Sequence, residues 1–179
     1  NIHPSFRPIP LYKLPSGKIN FLIRCIPVCN RYPSYEKVYY SRKQFKKAKG
    51  TEIGENILLD LFSKNGFTII SPEQLTLDEQ IAVVRNTKLL CGIIGTLGHN
   101  MLFAKPEQHM ILVNKTHNIN VAQMDINKMK NLDMTYIDSY LAEFPSLIGN
   151  GPFLITYSEM LNQYVEKHNW KKPAEDVIS

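Results

Sequence analysis

Cysteine is scarce in this sequence. Cys25, Cys29 and Cys91 are the only three, and no two are spaced as a CxxC pair. An odd count without that spacing excludes a disulfide framework and a zinc site, so free and mostly buried thiols are expected. No apolar run reaches the ~20 residues that a membrane-spanning helix needs. GxSxG, HExxH and the P-loop are all missing, which excludes the nucleophile-elbow hydrolases, the zincins and the P-loop nucleotidases. His3, His109, His117 and His168 lack metal-ligand spacing and read as surface or structural residues; no metal is expected. There is no internal repeat and no low-complexity tract. Acidic residues are the minority, 16 against 21 Lys and Arg, for a formal charge of +5. That balance suits a nucleotide, a phosphate or a membrane surface but is too small to single out nucleic acid.

What remains is a globular composition, 44% hydrophobic and 21% charged over 179 residues, enough for one core. Prolines concentrate between Pro4 and Pro33 and break any long helix there. One apolar run in this part, from Ile19 to Ile26, has the character of a strand. Residues 1–36 are therefore expected to be an arm or linker arriving from something N-terminal.

A regular alternation follows. Val38-Tyr39-Tyr40-Ser41 is β-prone. From Glu55 to Lys64 the apolar positions Ile57, Leu58, Leu61 and Phe62 make one face of a helix, which Asn65-Gly66 stops. Phe67 to Ile70 reads as a second strand, ended by Pro72. Thr76 and Glu79 form a capping box for a helix to about Asn86. Leu89 to Ile94 is apolar throughout, the mark of a strand buried on both faces. Thr96 to Ala104 predicts a short helix stopped at Lys105-Pro106. Met110 to Val113 and Met134 to Ile137 predict further strands, and Phe153 to Ile155 a short extended piece. Thr156 with Glu159 reads as a second capping box, opening a helix with Met160, Leu161, Tyr164 and Val165 inward. Trp170 is expected to anchor the end of the last helix. Strands alternating with helices at this spacing predict an α/β fold: a Rossmann-like, open, mainly parallel sheet with helices on both faces.

In such sheets ligands bind beyond the carboxyl ends of the strands. Two strand ends carry suitable residues. Ser41-Arg42 directly follows Tyr40, and an arginine there can project its fork of donors over the crevice towards a diphosphate. The alternative is a solvated basic stretch, since Arg42, Lys43, Lys46, Lys47 and Lys49 fall close together. That stretch lacks the aromatic interleaving of single-strand nucleic-acid platforms, so no nucleic-acid partner is expected. The second end is Gly95-Thr96-Leu97-Gly98-His99-Asn100, where the glycines permit close approach of a ligand and Thr96 is placed to cap a helix whose free N–H groups would meet an anion. These glycines equally permit a simple tight turn. Asn114-Lys115-Thr116 fits a glycosylation acceptor, a pattern that also arises by chance.

The stretch from Val38 to Val113 resembles family 61 of the glycosyltransferases, which includes capsular polysaccharide biosynthesis proteins and eukaryotic sugar transferases. Tyr40-Ser41-Arg42 matches its strand end, and Glu55 its helix-opening acid. Asn65-Gly66-Phe67, Ser71-Pro72-Glu73 and Glu79-Gln80-Ile81 follow in the family's order. Gly92, Gly95, Asn100, Leu102, Phe103 and Pro106 match its closing signature. Three positions depart: Ile94 stands where the family has His, Thr96 where it has Ala, and Gly54 where it usually has Asn. Ile94 offers no hydrogen bond to a donor phosphate; His99, one helical turn on, is the nearest imidazole in sequence.

The resemblance implies one lobe of a two-lobed GT-B enzyme, with residues 37–179 as the Rossmann-like lobe that holds a nucleotide-sugar and a missing N-terminal lobe completing it. It implies inverting, metal-independent transfer of a sugar to a glycan or polysaccharide hydroxyl, with the nucleotide-sugar as substrate and no cofactor. Arg42 would neutralise the leaving diphosphate. Gly95, Thr96, Leu97, Gly98, His99 and Asn100 would cradle phosphates or ribose, and Glu55 and Gln80 would orient donor groups or support the site. The setting implied is the cytoplasm or the cytoplasmic face of a membrane in a bacterium, with peripheral membrane association, or the Golgi or ER lumen in a eukaryote. The alternative reading is a non-catalytic Rossmann-like scaffold that lost its site through Ile94.

Overall fold

The computed structural model describes residues 32–44, 52–106, 108–141 and 152–178. Most of the expected arm over 1–36, with its apolar run and with Cys25 and Cys29, lies outside the described residues, as do Lys46, Lys47 and Lys49 of the basic stretch.

Five strands form one sheet: β1 (Tyr35–Tyr40), β3 (Thr68–Ile70), β4 (Thr87–Ile93), β5 (His109–Asn114) and β6 (Asp133–Asp138). Their order is β3-β1-β4-β5-β6, and every pairing is parallel. A short β2 (Glu52–Ile53) pairs in parallel with β7 (Phe153–Leu154) outside this sheet. The α-helices are α1 (Glu55–Lys64), α2 (Leu77–Asn86), α3 (Val121–Lys130), α4 (Glu159–Lys167) and α5 (Glu175–Ile178). The α/β, mainly parallel, Rossmann-like architecture expected from the alternation is the one observed.

Side chains alternate across each strand, so the sheet carries two apolar layers. Tyr39, Cys91, Ile93, Ile111 and Val113 face α1 and α4 through Leu58, Leu61, Phe62, Leu161 and Val165. Val38, Tyr40, Leu90, Met110 and Leu112 face the other way, against Val83 and Val84 of α2, Ile126 of α3 and Met101. Cys91 is a free buried thiol, as expected for a small apolar residue in a strand covered on both sides.

The ends of the helices show why the chain turns where it does. Thr76 and Glu79 make the reciprocal capping box at α2. Gly54 precedes α1 with φ 90°, and a Cβ there would lie 2.3 Å from the Ile155 carbonyl oxygen. The departure from Asn to Gly thus answers a close backbone approach between the start of α1 and the segment after β7.

Several local expectations are corrected. The cap of α4 is Ser158, whose hydroxyl accepts from the Leu161 N–H, not Thr156. The Thr156 N–H is committed to the Ser139 carbonyl, so the chain is still extended there. Met160 is exposed rather than inward. The segment Thr96–Phe103 is a 3-10 helix rather than an α-helix, and Gly95, not Thr96, occupies its cap position without a side-chain capping bond. Asn114, Lys115 and Thr116 are all buried, and Asn114 Nδ2 donates to Asp138. The folded chain therefore offers no glycosylation acceptor at this position.

Candidate functional site

The strand order contains one reversal. From β1 the chain passes over the sheet face occupied by α1 to reach β3; from β4 it passes through the 3-10 segment on the opposite face to reach β5. Neighbouring strands whose connections leave to opposite faces open a crevice at their carboxyl ends, and this is where open α/β sheets take ligands. Here the two strands are β1 and β4. Arg42 closes the first and Gly95 the second.

Arg42 is not a surface residue of a solvated run. Its side chain is 9% exposed, and its Nε forms an ion pair with Glu52 Oε1 at 3.0 Å. Its Nη1 edge lies against Gly95: a Cβ added to that glycine would sit 3.0 Å from Nη1. Gly95 has φ 156° and ψ −165°, a region open almost only to glycine. A side chain at 95 would meet both a strained backbone and the guanidinium. The juxtaposition of Arg42 with Gly95 thus depends on the glycine.

Glu55, the first residue of α1, fixes the end of β1. Its Oε1 accepts the Arg42 backbone N–H at 2.8 Å and the Tyr39 hydroxyl at 3.2 Å. Burial raises its carboxyl above the usual 4.5, opposed by the bonds from the Arg42 backbone, Ser41 and Tyr39. The Tyr39 phenol is pushed up in turn, first by burial and then by Glu55. Glu55 is engaged with the protein on all these contacts, so it supports the strand end that carries Arg42.

Gln80 and Asn100 meet each other. Asn100 Nδ2 donates to Gln80 Oε1 at 3.1 Å, and Gln80 Nε2 donates to the Leu75 carbonyl at 3.1 Å. The pair ties the 3-10 segment to α2. Gly98 is buried against α3, where an added Cβ would stand 2.3 Å from Gln123 Oε1. His99 is half-buried, its Nε2 is sheltered from solvent and makes no hydrogen bond, and burial holds its imidazole below the usual 6.5. The backbone at Thr96 and Leu97 opens the 3-10 segment; their side chains lie outside what is described. Ile94 is fully buried, and its N–H extends the ladder to Val113 at 2.8 Å.

Two residues of this region carry no sequence signal. The side chains of Glu52 in β2 and Lys115, the residue after β5, are both buried and joined at 2.6 Å through the oxygen that also ion-pairs with Arg42. The Lys115 ammonium stands 4.0 Å over the Phe153 ring. Desolvation lowers its pKa below 10.5, and Glu52 opposes that shift. The pair is 63 residues apart in sequence, and only the fold brings it to the carboxyl end of β1. Among the described residues, no three of His, Cys, Asp and Glu come together as a metal-holding group, and no helix is long and apolar enough to cross a membrane.

What this arrangement can do is hold an anion. A guanidinium held along one edge with a glycine turn beside it offers a fixed cation to such a group with little protein motion needed. No curated protein matches the chain. The family described as glycosyltransferase 61 matches residues 2–111, a span that holds β1 to β4, most of the described crevice and part of β5. The switch-point sheet and that match, over more than half of the sequence, agree: the chain belongs to glycosyltransferase family 61.

Proposed function

We propose that this chain is the donor-binding lobe of a glycosyltransferase that takes a nucleotide-sugar and passes the sugar to a glycan or polysaccharide hydroxyl. The carrying observation is the placement of the buried Arg42 guanidinium against Gly95 at the β1/β4 switch point. In an inverting transfer the acceptor oxygen bonds to the anomeric carbon as the bond to the diphosphate breaks, and the electron pair leaves with the nucleoside diphosphate. The difficulty is the charge that accumulates on that leaving group. A preorganised guanidinium in a crevice of low dielectric supplies stabilisation of this kind, and a metal ion is not required for it. Glu55 holds the Arg42 backbone, and the Gln80–Asn100 pair holds the 3-10 segment that follows Gly95. The residue that deprotonates the acceptor belongs, on this reading, to a second lobe.

Calorimetric titration with uridine, guanosine and cytidine diphosphates tests the proposal. Saturable binding of at least one is expected, weakened about 100-fold by Arg42→Ala, the loss of a charge-assisted bidentate contact. Heat from none of the three would overturn it.

One observation favours a second reading, a scaffold without transferase activity. At position 94 the family's imidazole is replaced by a fully buried isoleucine. Ile94→His in the full-length protein separates the readings: gain of donor hydrolysis marks a decayed enzyme.

A further inference from the structure

We propose that Glu52 and Lys115 are positioning residues that fix the orientation of Arg42 and together leave its positive charge available to the nucleotide. The inference rests on the donor-binding reading and extends it to two residues outside the recognised pattern. Lys115 lies beyond the span of the family match.

Glu52 Oε1 accepts from Lys115 Nζ at 2.6 Å and ion-pairs with Arg42 Nε at 3.0 Å, with all three side chains less than a tenth exposed. The ion pair holds the guanidinium beside Glu52, and Nη1 stands at Gly95. Orientation, however, has an electrostatic cost. A carboxylate bound to Arg42 in a buried setting cancels much of the field that would attract a diphosphate. Lys115 answers that cost. Two cations share one carboxylate, so the triad retains one unit of positive charge while the guanidinium stays fixed.

Among the described residues, Glu55 is a further acidic group beside the triad; its Oε1 accepts from the Arg42 N–H and the Tyr39 hydroxyl, and it is kept in every variant of the test below. Lys115 is held from its far side by the Phe153 ring of β7, which pairs with β2, the strand that carries Glu52. The small β2–β7 ribbon therefore places the anchor and braces the compensating cation together.

A charge cycle read by calorimetry with the diphosphate panel tests the inference. Lys115→Met keeps the side-chain length and leaves Glu52 uncompensated; affinity should fall roughly tenfold, less at high salt. Glu52→Gln keeps a polar oxygen beside Arg42 and removes the opposing charge; affinity should rise about threefold even though the fold loses stability. The double variant restores the parent's net charge and should return to within about twofold of the parent, a rescue that a purely structural pair would not give. Lys115→Arg should bind like the parent.

An unchanged affinity in Lys115→Met, or a double variant as weak as Lys115→Met, overturns the inference while the donor-binding reading stands. If Lys115→Met does not fold, Glu52→Gln decides alone: tighter binding supports the inference, and equal or weaker binding overturns it. A parent chain that binds none of the diphosphates overturns the donor-binding reading, and this inference with it.

Discussion

Two clusters on the sheet are built from opposite chemistry and meet at Tyr39, near the carboxyl end of β1. In the first, Phe62 stacks on Tyr39 at 4.8 Å and meets Phe67 and the partly buried Trp170 edge-on at 4.9 and 5.9 Å. Lys37 lies over the Phe67 and Trp170 rings, and Asn65 ties this cluster to the Lys171 backbone from both sides of its amide. At the carboxyl ends of β1 and β5, the side chains are Arg42, Glu52, Glu55 and Lys115, equally sheltered but charged. An aromatic cluster gains free energy from burial itself. A cluster of charges loses hydration and recovers it only through pairing, so it is a poor stabiliser. Its value lies in a held field, which is what a diphosphate site needs. On the proposed reading the aromatic cluster supplies stability and the charged cluster supplies binding, with the Tyr39–Glu55 bond between them.

Substitutions can break this division. Phe62→Ala should cost about 3–5 kcal/mol of stability, read by urea unfolding, because it empties the centre of the aromatic cluster. The fraction still folded should bind nucleoside diphosphate as before, and a parallel loss of affinity would show that the two clusters are coupled through Tyr39. Glu55→Ala should cost about 2–3 kcal/mol, since it leaves the Tyr39 hydroxyl and the Arg42 N–H unpaired in a buried place. Unlike Phe62→Ala, it should also weaken nucleotide binding, because the strand end that presents Arg42 loses its clamp. Thr76→Ala removes the capping box of α2 and should cost about 1 kcal/mol with no change in affinity. The smallest effect should be that of pH through His99. Burial holds its imidazole below 6.5, so the unfolded chain takes up the proton first. Its contribution is fully present above pH 6.5 and is lost as pH falls through the folded value. Glu55 runs in the opposite sense, its raised carboxyl contributing below 4.5 and losing that contribution as pH rises. His99→Gln should therefore flatten the acid side of the stability profile, measured by urea unfolding between about pH 7.5 and 5.5.

Much of the fold was legible in the residues. Leu89 to Ile94 declared a strand covered on both faces, and Thr76 with Glu79 declared the start of α2, because burial and capping are local demands written in consecutive side chains. Where two local signals competed, the longer-range contact decided. Thr156 and Ser158 are both acceptable caps, and the bond from the Thr156 backbone to Ser139 of a distant segment settled the choice. The helix after Gly95 proved to be 3-10, with its cap position taken by a glycine whose backbone region no other residue readily shares. The candidate site was legible in its two halves, Arg42 and the glycine segment, since each follows a recognisable strand end. Its meeting point was not, for strand order is set by packing across the whole sheet. Glu52 and Lys115 were invisible for the same reason. Each looks like an ordinary charged residue until β2 and the end of β5 are brought together.

The central claim is that a diphosphate is held between the carboxyl ends of β1 and β4. A crystal structure of the chain with the best-binding nucleoside diphosphate tests it most directly. The account predicts phosphate oxygens within hydrogen-bond distance of the Arg42 guanidinium and beside the Gly95 turn. A diphosphate seated elsewhere, with Arg42 untouched, would contradict it.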